Sequence, residues 1–157
     1  MIEIASIVYK PESVVSDPDD HYARVPLTSA NLVVGHGIEG DRKGGSPKRQ
    51  LNIMSFEPLQ ALGADGFSTQ PGQMGEQIMI RGLDVGKLAE GDQLQIGAHA
   101  CVEVVSHRTG CDRFEHIQGR SPKLAAGRMG VMAKVVAGGA IRVGDPVKIL
   151  RTDAQPA

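Results

Sequence analysis

Gln93-Leu94-Gln95-Ile96-Gly97-Ala98-His99-Ala100-Cys101-Val102-Glu103-Val104-Val105 is the stretch that decides the fold class. Polar and apolar residues alternate on both sides of Gly97, so Gln93–Ile96 and Cys101–Val105 read as two strands of a hairpin. Downstream, Val131–Val136, Gly138-Gly139 and Ala140–Val143 predict a second hairpin, and Pro146–Leu150 a closing strand. Upstream, Ile2–Tyr9, Asn31–Val34, Leu51–Met54 and Gln77–Ile80 add further short strands. Ser55 is placed to cap a helix over Phe56–Leu62, with Gly63 to end it. Asp84–Gly91 is a turn-rich connector with room for one helical turn. Cys111–Gln118, stopped by Gly119, and Ser121–Ala126 read as short helices.

The expected fold is mainly β: a closed or nearly closed barrel of short, mostly antiparallel strands with two or three short helices. Residues 1–150 read as one domain and 151–157 as a flexible polar tail. The 20 glycines and 9 prolines in 157 residues fit many turns between short elements. Lys10–Asp20 is acidic and proline-punctuated, a solvated excursion more than a metal loop.

Composition excludes several functions. Apolar residues make up 41% of the chain, enough for a folded core. The formal net charge of -1 argues against a nucleic-acid or membrane-surface binder, which needs a basic excess. With no Trp and only five Phe and Tyr, stacking platforms for single strands are not expected. No apolar run reaches the ~20 residues that span a bilayer. No signal peptide is apparent, so the expected compartment is the cytoplasm, with Cys101 and Cys111 reduced.

The chemistry concentrates at Cys111, in Ser106-His107-Arg108-Thr109-Gly110-Cys111-Asp112-Arg113-Phe114. A cysteine at a helix start between two arginines favours thiolate, the form that attacks, carries sulfur or binds a soft metal. A half-buried structural cysteine is the plainer alternative on local features alone. His107, four residues earlier, offers a base only weakly. Cys101, inside an apolar strand, reads as a small core hydrophobe. The five histidines form no close pair at metal-ligand spacing.

Two glycine-rich turns accompany it. Gly37-Ile38-Glu39-Gly40-Asp41-Arg42-Lys43-Gly44-Gly45 carries four glycines and four charges and suits an anion, or simply a tight turn with a surface ion pair. Arg49-Gln50 leads into a strand. Pro71-Gly72-Gln73-Met74-Gly75-Glu76-Gln77 enters another, and Glu76 reads most simply as an acid paired with a nearby cation. Gly91-Asp92 and Gly144-Asp145 are turn signals ahead of strands.

In order, these stretches resemble the MOSC domain, named for the C-terminal domain of molybdenum cofactor sulfurase. The resemblance runs from the Ile2–Tyr9 strand through Gly37–Arg42, Arg49–Met54, Pro71–Glu76, Gly91–Gly97 and Thr109-Gly110-Cys111 to Gly144-Asp145. It implies a mainly β, barrel-like fold similar to the pyruvate-kinase β-barrel, and a site centred on Cys111. In the family this cysteine carries sulfur as a persulfide or ligates molybdenum of the pterin cofactor. Arg42, Lys43, Arg49 and Arg108 are then partners for the pterin phosphate, with Gln50, Gly75 and Glu76 at the cofactor. The chain departs from the family where Gly110 replaces a proline common in larger relatives. It departs again where Gln73, Met74 and Gln77 replace Asp, Phe and Asn. It resembles a small stand-alone member, without the N-terminal partner domain or the pyridoxal-phosphate domain found in larger ones. Pyridoxal phosphate binding is associated with the family as a whole.

Two enzymatic expectations follow from the resemblance. One is reduction of an N-hydroxylated substrate with electrons from a separate redox partner. The other is sulfur transfer with a cysteine desulfurase as donor. A non-catalytic molybdenum cofactor carrier is the alternative, and a plain β interaction module the remaining one.

Overall fold

The computed structural model describes residues 2–11, 25–41, 45, 50–64, 66, 69, 75–108 and 130–150. Among these, the chain forms β1 (Glu3–Tyr9), β2 (Val25–Leu27), β3 (Ser29–Val33), β4 (Gly37–Ile38), β5 (Leu51–Ser55), α1 (Phe56–Ala64), β6 (Ile78–Arg81), β7 (Gln93–Ile96), β8 (Ala100–His107), β9 (Val131–Ala137), β10 (Gly139–Arg142) and β11 (Val147–Leu150). A single 3-10 turn, Val85–Lys87, is capped by Asp84, whose side chain accepts from the Gly86 amide. The strands build an eight-stranded sheet, β11-β7-β8-β9-β5-β6-β1-β2, and a three-stranded sheet, β10-β3-β4.

The β7–β8 hairpin forms as its alternation dictates. Leu94 faces Val102 and Ile96 faces Ala100, and all four are buried. They join Ile4, Ile7, Ile53, Ile78, Ile80, Val104 and Val131 in the main core. The second expected hairpin does not form. β9 pairs with β8 and β5, whereas β10 leaves for the small sheet and pairs with β3. Gly138-Gly139 thus changes sheets instead of turning a hairpin. A Cβ at Gly139 would stand 3.1 Å from His99 Cβ and 3.2 Å from Ala100 N, tighter than such contacts normally are.

Among the described residues no closed barrel is found, so the closed form of the expected barrel is not borne out. The start of β1, next to the β2 edge, meets the approach to β11 at one isolated bridge, Glu3 to Pro146, with backbone bonds Ile4 N to Asp145 O (3.0 Å) and Val147 N to Ile2 O (3.0 Å). Pro146 has no N–H with which to continue a ladder. One α-helix, α1, stands among the described residues. The expected helices over 111–118 and 121–126, and the tail 151–157, lie outside them. α1 runs past Gly63 to Ala64, and a Cβ at Gly63 would stand 2.9 Å from Thr69 Oγ1. The Ser55 hydroxyl donates to Leu83 O (2.6 Å) and accepts from Val85 N (2.7 Å), fastening the helix start to the next connection. The Glu57 carboxylate accepts from the Gly82 amide (3.1 and 3.2 Å). Asp92 and Asp145 each accept from the amide three residues earlier, Ala89 N and Arg142 N (both 2.9 Å), as expected for turn residues.

Two irregularities position chemistry. β5 and β6 are the parallel pair in an otherwise antiparallel arrangement, with α1 in the crossover between them. Such a pair is covered on both faces, and every residue of β5 is buried. In β1 the register shifts between Ile4 and Ser6. This bulge at Ala5 lets Ile4 and Ile7, three residues apart, both enter the main core. Ala5 packs instead against a second cluster, Met54, Leu59, Leu62 and Met79, beneath α1.

Candidate functional site

β5 carries the site because of its alternation. Leu51 and Ile53 enter the main core, and Gln50, Asn52 and Met54 occupy the other parity. A polar side chain inside a buried strand must be hydrogen-bonded. Asn52 is 3% exposed and fully engaged. Its Nδ2 donates to Val131 O (3.1 Å), and its Oδ1 accepts from Arg108 Nη1 (2.9 Å). Its backbone N–H donates to Gln77 Oε1 (2.7 Å). Gln77 Nε2 in turn donates to Asp41 Oδ2 (3.3 Å), and Asp41 Oδ1 accepts from the Lys10 amide (3.1 Å). A continuous buried relay therefore runs from Asp41 through Gln77 and Asn52 to Arg108.

The relay reaches the Arg108 guanidinium. Nη1 also lies 3.8 Å from Met54 Sδ, so side chains at two successive outward positions of β5 hold it. Its backbone donates to Gly130 O (3.0 Å). Gly130 sits at φ 80° directly on β5, and a Cβ there would fall on the Ile53 carbonyl and 2.7 Å from Met54 Cγ. Only glycine fits. The chain thus leaves β8 at Arg108 and returns to β9 at Gly130 side by side.

The expected site residues divide as follows. Arg108 is half-buried in the relay. Glu76 is wholly buried immediately before Gln77, and Gly75 is buried with φ 83°. Gln50 is buried, and its Oε1 accepts from Val135 N (2.8 Å), a bond that holds β9. Arg42, Lys43, Arg49 and Cys111 lie outside the described residues. Each belongs to a segment that adjoins the site in sequence: Arg42 and Lys43 follow Asp41, Arg49 precedes Gln50, and Cys111 follows Arg108. His107 Nε2 stands 2.8 Å from Leu88 O; a carbonyl only accepts, so that nitrogen carries the proton. Asn52, Gln77 and Asp41 were not expected as site residues. Their signal was available, since polar side chains in or beside fully apolar strands imply partners.

Cys101 is half-buried and lies outside the core, on the opposite parity from Ala100, Val102 and Val104, which corrects its reading as a core hydrophobe. Burial, and then the nearby Glu103 carboxylate, push its thiol above its ordinary pKa, away from reactivity. Its Sγ lies 3.7 Å from Gln93 Oε1. Among the described residues, no three His, Cys, Asp or Glu side chains are placed to hold a metal ion. No helix among them is long and apolar enough to cross a membrane.

The family model described as "MOSC domain" matches residues 40–148, more than two thirds of the chain. The chain belongs to the MOSC domain family. The matched span begins one residue before Asp41 and contains the rest of the relay, so the MOSC region and the buried polar system largely coincide. No curated protein is significantly similar in sequence. In fold, this MOSC protein is similar to the YuaD protein from Bacillus subtilis (TM-score 0.75, 19% identity, 95% of this chain and 96% of that one covered). It is also similar to YiiM from Geobacillus stearothermophilus (0.74, 20%, 99% and 78%) and to YiiM from Escherichia coli (0.69, 19%, 94% and 69%).

Proposed function

We propose that this MOSC protein binds the molybdenum cofactor, or handles sulfur, with Cys111 as molybdenum ligand or sulfur carrier. The observation that carries the reading is the buried Asp41–Gln77–Asn52–Arg108 relay, which reaches a guanidinium. Cys111 follows Arg108 by three residues in sequence, and the reading takes the two as parts of one site.

The residues present fit the group. A planar guanidinium held by Asn52 Oδ1 and Met54 Sδ has lost the rotamer freedom that makes exposed arginines weak anion partners. A phosphate takes two parallel N–H donors from such a fork. Arg42, Lys43 and Arg49, one or two residues from Asp41 and Gln50, supply further positive charge. Gln50, Gly75 and Glu76, all buried, are the other residues this reading assigns to the cofactor. A thiolate at Cys111 is the soft donor molybdenum prefers. When bound, the cofactor supplies the redox chemistry by which an N-hydroxylated substrate loses oxygen, with electrons from a separate donor protein.

The sulfur-transfer form uses the same residues. The Cys111 thiolate attacks the terminal sulfur of a desulfurase persulfide; that S–S bond breaks, a new one forms on Cys111, and the donor cysteine leaves as thiolate. Arg108 favours the attacking thiolate by its charge.

The test is direct. Protein purified from molybdate-replete cells is expected to hold molybdenum and pterin, both falling at least about tenfold in Cys111→Ser and Arg108→Ala. Molybdenum and pterin both absent, with an added sulfur on Cys111 by mass spectrometry, selects sulfur transfer. Cofactor released intact, without turnover of hydroxylamines, selects a carrier. Cofactor content, bound sulfur and activity all unchanged in Cys111→Ser overturn the reading.

A further inference from the structure

A second recess lies on the outer side of β1 and β6, against α1, and encloses about 230 Å³. Its floor is apolar: Ala5, Phe56, Leu59 and Met79. Ser6, Gln60, Thr69 and Arg81 stand around it. The Ser6 hydroxyl oxygen is buried and makes no hydrogen bond, the sole such side-chain atom among the described residues. Buried hydroxyls in native proteins have partners, so an orphan at a recess marks a place for an acceptor or donor from outside. The β1 bulge creates this arrangement. With strict alternation, Ala5 and Ser6 would face opposite sides; the register shift brings both to the recess.

Arg81 supplies the sign of the ligand. Among the described residues it is the one charged residue lining the recess, with its guanidinium 4.5 Å from the Phe56 ring centroid. Nη1 pairs with Glu3 Oε1 at 3.0 Å, one donor of a five-donor fork. Stacking and pairing hold that fork in place beside an apolar floor. The volume sets the size: a cavity of about 150 Å³ suffices for benzene, so 230 Å³ suits one ring with a small substituent.

We propose that this recess binds a small carboxylate with a single-ring or branched aliphatic body. The body covers Leu59 and Met79, and the carboxylate takes the Ser6 O–H and the Arg81 fork. The site is separate from the Arg108 site. The two share one wall, because Leu59 and Met79 pack with Met54, whose sulfur touches Arg108.

The experiment is a titration of the full chain followed by amide resonances, with benzoate, benzyl alcohol and benzylamine as probes. Benzoate is expected to give saturable shifts at Ser6, Leu59, Gln60 and Met79, binding about tenfold tighter than either other probe. Arg81→Gln, on the exposed rim, is expected to keep the folded spectrum and bring benzoate to the level of benzyl alcohol. Ser6→Ala is expected to weaken benzoate. Three results overturn the proposal: no saturable shift at these amides, benzylamine or benzyl alcohol binding as tightly as benzoate, or Arg81→Gln leaving benzoate unchanged. Loss of cofactor in Cys111→Ser bears on the other site alone, so the two readings fail separately.

Discussion

Leu51 and Ile53 on one side of β5, and Gln50, Asn52 and Met54 on the other, are all almost wholly buried. They differ in what their burial does. The first pair belongs to the main hydrocarbon core and contributes by area removed from water. The second set meets named atoms: Val135 N, Val131 O, and a guanidinium gripped between Asn52 and Met54. Burial alone does not distinguish core from site. The partners do, and a polar position in a covered strand must have them.

Gly130 sits where the two sides of β5 meet, so Gly130→Ala should have the largest effect. A Cβ would strike the β5 backbone, at a φ that alanine avoids. A loss of about 4 kcal/mol or more is expected in urea unfolding, with little folded protein recovered. Ile53→Ala tests the hydrocarbon side. It should cost about 2–5 kcal/mol and leave molybdenum and pterin content per folded molecule unchanged. Asn52→Leu tests the other side, with the opposite pattern. It should cost only about 1–3 kcal/mol, since Val131 O and Arg108 each lose one partner. Cofactor or sulfur bound per folded molecule should nevertheless fall about tenfold. If Ile53→Ala and Asn52→Leu reduce binding alike, the distinction between the two sides fails.

The smallest effect concerns Cys101. Its folded-state pKa lies above the unfolded value, so the native state keeps the proton that the unfolded chain gives up. Its contribution is fully present below the unfolded pKa of about 8.5, and is lost as pH rises through the folded value. Cys101→Ser should therefore lose less stability than the parent as pH rises above the unfolded thiol pKa. Iodoacetamide should label Cys111 before Cys101 at neutral pH, read by mass spectrometry of digests. The reverse order would contradict both assignments.

Much of the fold was readable where alternation was clean. Gln93–Ile96 and Cys101–Val105 show their pairing in their pattern, as does the β5–α1–β6 order. The Val131–Val143 stretch misled because glycines mark a change of direction without saying which strand receives the chain. β3 received it, more than a hundred residues earlier. Barrel closure was equally beyond local reading, since it depends on whether Pro146 can extend a ladder with Glu3. For the site, Arg108 and Glu76 stood out by charge. Asn52 and Gln77 did not, because an amide becomes informative only when the strand around it is known to be covered on both sides.

The seam between Ile2–Ile4 and Gly144–Val147 also has a consequence in time. It joins parts of the chain about 140 residues apart, with backbone bonds on both sides of the bridge. On a ribosome adding about 5–20 residues each second, the first strand emerges many seconds before its partner exists. Until then β1 has β6 and β2 to lean on, and its far end stays open. Completion of this protein therefore waits on its last strand. Truncation just before Gly144 should leave an unzipped chain that proteases cut at β1, at the opposite end of the sequence.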